Sequence, residues 1–267
     1  MAINTIGSNT LTQTANNIQQ TSERIASGSH INSAADDAAG LVISNRLSTE
    51  IQEQSQAGRN ANDGISYLQV AGGAFENITQ GLDRIRELAL QASNGVLSES
   101  DRGALNTEAQ ELKAEIQSSV KNTSFNGQTI LNTNQSVSIV LGSDEGAEID
   151  ISLANFEQSL EELDFENIDL SSVASAQQAL SIVDDVQTEV DNSNSQIGAQ
   201  TNRLESSIDG LFSRELEAVS SRSRIQDADL AKEISELSAN QIQSEVAIAL
   251  RVQANEQAKG VLRLLGE

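Results

Sequence analysis

His30 is the single histidine of the 267-residue chain, which also contains no cysteine. A metal site needs several ligands at fixed geometry, and the metalloprotease motif HExxH is absent. A serine hydrolase would have to use His30 as its base, yet no serine lies in a GxSxG motif. Without cysteine there is no thiol nucleophile, disulfide or zinc finger. We therefore interpret His30 as a polar linker residue and predict no enzyme activity, cofactor or metal.

Carboxylates are the other residues that could do chemistry, and they are dense between residues 144 and 169. This stretch has no Lys or Arg, and it contains Asp144, Glu145, Glu148, Asp150, Glu157, Glu161, Glu162, Asp164, Glu166 and Asp169. Their spacing does not match an EF-hand calcium loop. A glycosidase would need an aromatic platform for its sugar, and none is present. The favoured interpretation is a solvated acidic face.

The net charge of −23 excludes a nucleic-acid-binding protein, which needs a basic surface, and argues against binding to anionic membranes. No apolar stretch approaches the roughly 18 residues of a membrane-spanning helix. The N-terminus lacks the basic and apolar regions of a Sec-type signal peptide. We therefore expect that export, if it occurs, uses a route without such a cleaved signal.

The elements that would position any functional residue are predicted to be long helices. Aromatic residues make up 2% of the chain and proline is absent. Since proline breaks helix interiors, its absence permits long uninterrupted helices. With few large rings, the core must consist of Ala, Leu, Ile and Val packed in thin seams between helices.

Apolar residues alternate at spacings of four and three, which is typical of helices that pack along one seam. Helix is predicted to resume near Ala38 and to be interrupted at Gly64. Gly95 is expected to cap the next run, and Ser100 or Asp101 to begin the helix after it. The three seams before residue 121 are Leu11, Ala15, Ile18, Ser22 and Ile25; then Ala71, Phe75, Ile78, Leu82, Ile85, Ala89 and Ala92; then Leu105, Ala109, Leu112, Ile116 and Val120.

The strongest periodic signal covers residues 174–220. At ~1.5 Å per residue this helix would be about 70 Å long. The polar seam positions suggest that the helices are fixed in register as well as held together. The seam contains Ala176, Leu180, Val183, Gln187, Val190, Asn194, Ile197, Thr201, Leu204, Ile208, Leu211, Glu215 and Ala218.

Residues 136–153 change to strict alternation around a glycine-containing turn, which predicts a β-hairpin. Asn126-Gly127 predicts a tight turn. Residues 154–172 are predicted to be an acidic loop. The fold class is therefore mainly α: a long antiparallel coiled-coil rod with a small β-hairpin, plus a terminal helix pair.

The terminal pair consists of residues 3–25 and about 228–265, which are both amphipathic. Neither segment could bury its apolar face alone, so we expect them to pack on each other or on other subunits. The second segment ends in the apolar cluster Val261, Leu262, Leu264 and Leu265.

Several of these segments resemble bacterial flagellin in their residues as well as in the spacing of their apolar positions. The N-terminal matches are ERIASGSHINSAADDAAGLVISNRL (23–47), RNANDGISYLQVAGGAFENI (59–78), LDRIRELALQASNG (82–95) and FNGQTIL (125–131). The C-terminal matches are IGAQTNRLESSI (197–208), SRIQDADLAKEISELS (223–238) and QANEQAKGVLRLL (253–265). Together they cover well over half of the chain, in order, at both ends.

The resemblance implies an inner helical domain from residues 1–35 and 223–267, and a rod domain over residues 36–222. The extra outer domains of many flagellins are absent, so the chain resembles a minimal flagellin. The implied function is a secreted structural subunit that is exported unfolded and polymerises at the tip of the flagellar filament.

The resemblance also implies partners: copies of itself, a flagellar export chaperone, hook-associated proteins and the filament cap. Arg84, Leu88 and Glu108 are surface candidates, and Arg84 and Leu88 are four residues apart and therefore on one side of a helix. The resemblance implies that these three residues match the flagellin patch recognised by an innate immune Toll-like receptor. Residues Val261, Leu262, Leu264 and Leu265 resemble the segment covered by the chaperone and sensed by inflammasome receptors.

Two other functions stay open at this point. One is a hook–filament junction protein of the same family, which shares the terminal helices. The other is a secreted receptor ligand or adhesin with no role in the filament.

Overall fold

The computed structural model describes the backbone of residues 2–142 and 147–266, and their side chains except those of residues 2–8 and 262–265. The described part is mainly helical, which confirms the predicted fold class. Its helices are α1 Ala2–Ser27, α2 Ala38–Ala92, α3 Glu99–Asn122, α4 Phe156–Glu162, α5 Val173–Gln226 and α6 Leu230–Gly266. Its antiparallel strand pairs are β1 Ser124–Phe125 with β2 Gln128–Thr129, and β3 Ser136–Val140 with β4 Glu148–Ser152.

The chain divides into two compact units. The first contains Met1–Gln52 and Glu215–Glu267, so it holds both chain ends; the second contains Glu53–Arg214. The division predicted from the sequence, into residues 1–35, 36–222 and 223–267, is a division by role in a filament. It stays a prediction.

The core of the second unit follows the predicted seam of α2. All seven of those seam residues are buried, from Ala71 to Ala92. Helix α3 adds Ala109, Ile116 and Val120, and α5 adds a matching aliphatic row. Each aliphatic side chain fully removed from water contributes roughly 1.5–3 kcal/mol. Aliphatic residues at regular spacing therefore form most of this core, and Phe75, Phe156 and Phe165 are buried with them.

The seam of α5 within this core has the predicted 4-3 spacing, with one difference. Val183, Val190 and Leu204 are buried as expected, whereas Asn194 is exposed and Ser193 is buried in its place. The predicted pattern resumes at Ile197, which is buried, so the difference is confined to this turn of the helix.

Gly64 does not interrupt α2, contrary to the expectation. The helix continues through it, and the missing side chain instead allows close packing. A Cβ at this position would lie 3.1 Å from Ile139, 3.2 Å from Leu204 and 3.3 Å from Ile151. Gly64 therefore lies where side chains of α5 and of the β3–β4 hairpin approach α2 closely.

Replacing Gly64 with Leu is expected to destabilise the second unit. Overpacking a filled core costs about 1–3 kcal/mol, more than the roughly 0.8–1 kcal/mol that a better helix former contributes. Gly73→Leu is the matched control, because nothing lies within 4 Å of a Cβ at Gly73. Urea unfolding should show a lower midpoint for Gly64→Leu alone. Equal midpoints for the two variants would contradict this account of Gly64.

The connection between α2 and α3 differs from the prediction in its capping residues. Gly95 does not have a positive φ, so it does not form a left-handed cap. The N-cap of α3 is Ser98, whose hydroxyl accepts from the Asp101 amide while the Asp101 carboxylate accepts in return. The Ser98 hydroxyl and then the Ser98 amide donate to the Asp101 carboxylate, and these two bonds lower the pKa of Asp101 below its ordinary value. The carboxylate therefore belongs to a capping box, which satisfies helix donors that would otherwise lack partners.

The acidic segment after the hairpin is not a simple loop. It contains α4 and a short 3-10 helix at Phe165–Asn167. Phe156, Leu160 and Phe165 are buried, and the Phe156 ring meets Phe75 of α2 edge-on with centroids 5.0 Å apart. A helix of seven residues is too short to show a clear periodicity in the sequence. The three buried apolar residues, which stand among carboxylates, were therefore not predicted.

The tight turn at Asn126-Gly127 is confirmed. Both residues have positive φ, 51° and 81°, as a two-residue hairpin turn requires. The turn joins β1 to β2, and Phe125 of β1 contacts Tyr67 of α2 edge-on at 5.8 Å.

In the first unit, α1 and α6 pack against each other. The face of α1 with lower exposure consists of Leu11, Thr14, Ile18, Thr21 and Ile25. The predicted positions Ala15 and Ser22 are exposed instead. Helix α1 ends at Ser27, and the following Gly28 has a φ of 68°. The carbonyl of Gly28 accepts from the Ala228 amide at 2.9 Å.

Candidate assembly and recognition surfaces

Arg84 projects from α2 and is held by two carboxylates. Its Nε and Nη2 donate to Glu108 Oε1 on α3 at 2.9 and 2.7 Å, and its Nη1 donates to Glu87 Oε2 at 2.9 Å. The hydrogen bonds to Glu108, and then those to Glu87, raise the pKa of Arg84. All three side chains are substantially exposed. The guanidinium plane is thus fixed at the surface, with the rest of its five donors available.

Glu87 was not predicted as part of this group. It lies three residues after Arg84, a spacing at which side chains on a helix are neighbours, so the signal was present. We refer to Arg84, Glu87 and Glu108 as the Arg84 patch.

Leu88 is not at the surface, which corrects the expectation that it shares an exposed face with Arg84. Its side chain is 1% exposed and belongs to the core cluster. Helix α2 contacts helices on two sides, since Arg84 bonds to Glu108 on α3 while Arg86 forms an ion pair with Asp184 on α5 at 3.0 Å. A helix covered on two sides buries more than one stripe, so Leu88 supports the Arg84 patch from beneath.

The C-terminal apolar cluster lies within α6. Val261 is 53% exposed, whereas the side chains of Leu262, Leu264 and Leu265 lie outside the described residues. Other apolar side chains are exposed along the same helix, namely Leu230, Ile234, Ile242, Val246, Ile248, Leu250 and Val252. A helix of a soluble monomer normally buries its large apolar side chains against a neighbour, so the number left exposed gives α6 the character of an interface.

A buried carboxylate joins the chain ends and was missed in the sequence. Glu233 of α6 is 3% exposed, and its Oε1 lies 3.8 Å from Arg24 and 3.6 Å from Nδ1 of His30. Arg24 also lies 3.7 Å from Asp36. His30 is therefore close to a carboxylate in the first unit, a contact that no local sequence pattern encodes because more than 200 positions separate the two residues.

The acidic residues between 144 and 169 are not gathered into a site among the residues that are described; Asp144 and Glu145 fall outside them. The carboxylate of Asp169 accepts from Ser171, which lowers its pKa. In the described chain, no group of three or more His, Cys, Asp or Glu side chains could hold a metal ion. None of its helices is long and apolar enough to cross a membrane.

Comparison with known proteins gives two family matches. Residues 1–136 match the bacterial flagellin N-terminal helical region, and residues 180–265 match the bacterial flagellin C-terminal helical region. The chain is 38% identical to a flagellin from Halalkalibacterium halodurans over 92% of this chain and 91% of that protein. It is 32% identical to the flagellar filament 30.7 kDa core protein of Treponema maltophilum over 93% and 92% of the two chains.

Solved structures agree with this grouping. Bacillus cereus flagellin matches with a TM-score of 0.52 and 26% identity, over 57% of this chain and 88% of that one. A putative flagellar hook-associated protein from Vibrio parahaemolyticus matches with a TM-score of 0.61 over 72% and 100% of the two chains; at 17% identity, this likeness concerns the fold alone. The chain matches both family regions, has long helices, and is 38% identical to a flagellin over nine-tenths of that protein. This chain therefore belongs to the bacterial flagellin family.

Proposed function

We propose that the chain is the structural subunit of a bacterial flagellar filament, a homopolymer outside the cell. The observation that carries this proposal is the set of exposed apolar side chains on α6 in the unit that holds both chain ends. In a filament, neighbouring copies would cover these side chains, and burial of apolar surface is the main favourable term in protein association. The named relatives are a flagellin and a flagellar filament core protein, which supports the same function.

The expected result of removing only this chain from its cell is a loss of filament, seen by electron microscopy. Loss of the whole filament would identify the main subunit. Loss of a segment would identify a minor subunit or a hook–filament junction protein. An unchanged filament would contradict the structural role and favour the secreted ligand or adhesin. Restoration by the same chain expressed separately is the control.

We also propose that residues 256–267 are covered by an export chaperone before assembly. An exposed apolar helix end such as that at Val261 is prone to non-specific association while subunits wait for export. Hook-associated and filament cap proteins would meet the same chain ends once export is complete. The same segment is the proposed contact for inflammasome receptors.

A second proposed role is recognition by a host Toll-like receptor through the Arg84 patch. The specific observation in favour is the fixed guanidinium, because a pre-positioned Arg loses less freedom on binding and Arg is enriched among the residues that dominate interfaces. Leu88 would contribute by holding this part of α2 rigid, and Glu108 by orienting Arg84.

A further inference from the structure

The β3–β4 hairpin has two free edges, and their protection is unequal. The Leu141 amide donates to the Ala147 carbonyl, and bonded and non-bonded pairs alternate in an antiparallel ladder. The pairs Val140–Glu148, Ser138–Asp150 and Ser136–Ser152 therefore direct their amides and carbonyls outward. Strand β4 carries the carboxylates Glu148 and Asp150 on its edge positions, whereas β3 has no charged residue of its own. Ser138 Oγ of β3 donates to Glu148 Oε2 at 2.7 Å.

Uncharged edge strands are sites where another chain can add a strand. In a chain with a net charge of −23, most surfaces of two copies repel each other. Strand β3 adds no charged residue to that repulsion, and its β-branched residues favour pairing.

One side chain from α2 occupies this edge. Asn60 Nδ2 donates to the outward carbonyl of Val140 at 2.9 Å. Its amide is held in that orientation, because Gln56 Nε2 donates to Asn60 Oδ1 at 2.9 Å and Arg59 donates to Gln56 Oε1 at 2.6 Å. An open groove of about 220 Å³ lies beside this contact, between α2 and the end of β3. The helix backbone therefore leaves space at the edge, and the Asn60 side chain crosses it.

The opposite edge has a related contact. Gln200 Nε2 of α5 donates to the outward carbonyl of Ser152 at 2.9 Å. Strand β4 already carries Glu148 and Asp150, whose charges oppose pairing with another strand. The hydrogen bond from Gln200 therefore adds little to the protection of this edge.

We propose that the Asn60 side chain prevents β3 from pairing with the β3 strand of a second copy. The hydrogen bonds from Arg59 to Gln56 and from Gln56 to Asn60 hold the Asn60 amide on the Val140 carbonyl, the last outward carbonyl of β3. Without the Asn60 side chain, two β3 strands can pair antiparallel about their central residue, Ser138. This inference does not depend on the filament function, since it requires only that copies of the chain meet.

The chain contains no cysteine, so a Ser138→Cys variant has a single thiol at the exposed centre of β3. In antiparallel pairing about Ser138, the two Cα atoms at this position would lie about 4.5–5.5 Å apart, within reach of a disulfide. The yield of disulfide-linked dimer from oxidised monomer therefore measures edge pairing directly.

The test compares Asn60→Leu with Asn62→Leu, each combined with Ser138→Cys. The Asn62 side chain donates to the Gly58 carbonyl of its own helix, so its replacement adds the same apolar side chain without removing a bond to the hairpin. The dimer yield is expected to rise about fivefold in the Asn60→Leu chain. This is about the change in an equilibrium constant that loss of one hydrogen bond produces. Gln200→Met should stay at the level of the Asn62→Leu control.

Hydrogen exchange in β3 and β4 would show whether the hairpin stays on the helices in each variant. Equal dimer yields for Asn60→Leu and Asn62→Leu would overturn the proposal, whether or not the hairpin has loosened. A rise for Gln200→Met as large as that for Asn60→Leu would also overturn it, because a general loosening would then explain both.

Discussion

Deleting residues 256–267 is expected to abolish polymerisation and to leave the second unit folded. The deletion removes Val261, Leu262, Leu264 and Leu265, which are proposed to be buried between copies. Burying four aliphatic side chains is worth about 6 kcal/mol or more, and each 1.4 kcal/mol changes an association constant about tenfold. Sedimentation should therefore show only monomer at concentrations where the full chain forms filaments.

The second unit should be unaffected because its core lies elsewhere. Its buried residues come from α2, α3, α5 and the segment between them, all within Glu53–Arg214. Circular dichroism should keep most of the helix signal, and thermal unfolding of this unit should keep its midpoint.

Two variants separate the apolar side chains from the length of the helix. Changing Val261, Leu262, Leu264 and Leu265 to Ser in the full-length chain should reproduce the loss of filaments. Changing Glu256 and Lys259 to Gln should not, because their ion pair is exposed on the same helix at 3.4 Å. Normal filaments from the truncated chain would refute the assigned role of this segment.

The long elements could be predicted from sequence because their signals repeat. The seam from Ala71 to Ala92 repeats the helical spacing over seven residues. The alternation at 136–153 has a period of two, which distinguishes a strand from a helix. The structure places the hairpin strands and the starts of α2 and α5 within a few residues of the expected positions. The flagellin-like motifs at both chain ends then indicate the family, which periodicity alone could not indicate.

The differences have a common physical origin, which is contact between residues far apart in the chain. Leu88 is buried because α2 is covered by both α3 and α5, whereas one 4-3 pattern describes one contact face. Gly64 is indistinguishable from a helix breaker until Ile139 and Leu204 are seen to approach it. Glu233 looks like a surface residue in the first turn of a helix until Arg24 and His30 are placed beside it.

Arg84→Ala is expected to weaken receptor signalling by about tenfold or more, as loss of a central interface arginine does. The receptor would meet a guanidinium that Glu108 and Glu87 already hold in place. Removing it takes away the donors and the planar surface, and leaves two carboxylates that repel whatever acidic or carbonyl groups the arginine bound. A reporter assay on purified monomer, with thermal melting of the same samples, measures both effects.

Arg86→Ala is the matched control for this prediction. Arg86 lies on the same helix, is similarly exposed, and forms an ion pair with Asp184 rather than with Glu108. Exposed ion pairs add little to stability, so neither substitution should unfold the chain. Leu88→Ala, in contrast, should cost about 2–5 kcal/mol in unfolding free energy because Leu88 is buried, and any loss of signalling there should follow the loss of fold.

Glu108→Ala distinguishes orientation from contact. If Glu108 acts by holding Arg84, its removal frees the guanidinium, and signalling should fall by less than in Arg84→Ala and fall no further when both are changed. Independent, additive losses would mean that Glu108 meets the receptor itself. If Arg84→Ala signals as well as the unaltered chain, or if Arg86→Ala falls by the same factor, Arg84 is an ordinary helix-surface residue. The function of the chain would then rest on the contacts that α6 makes between copies.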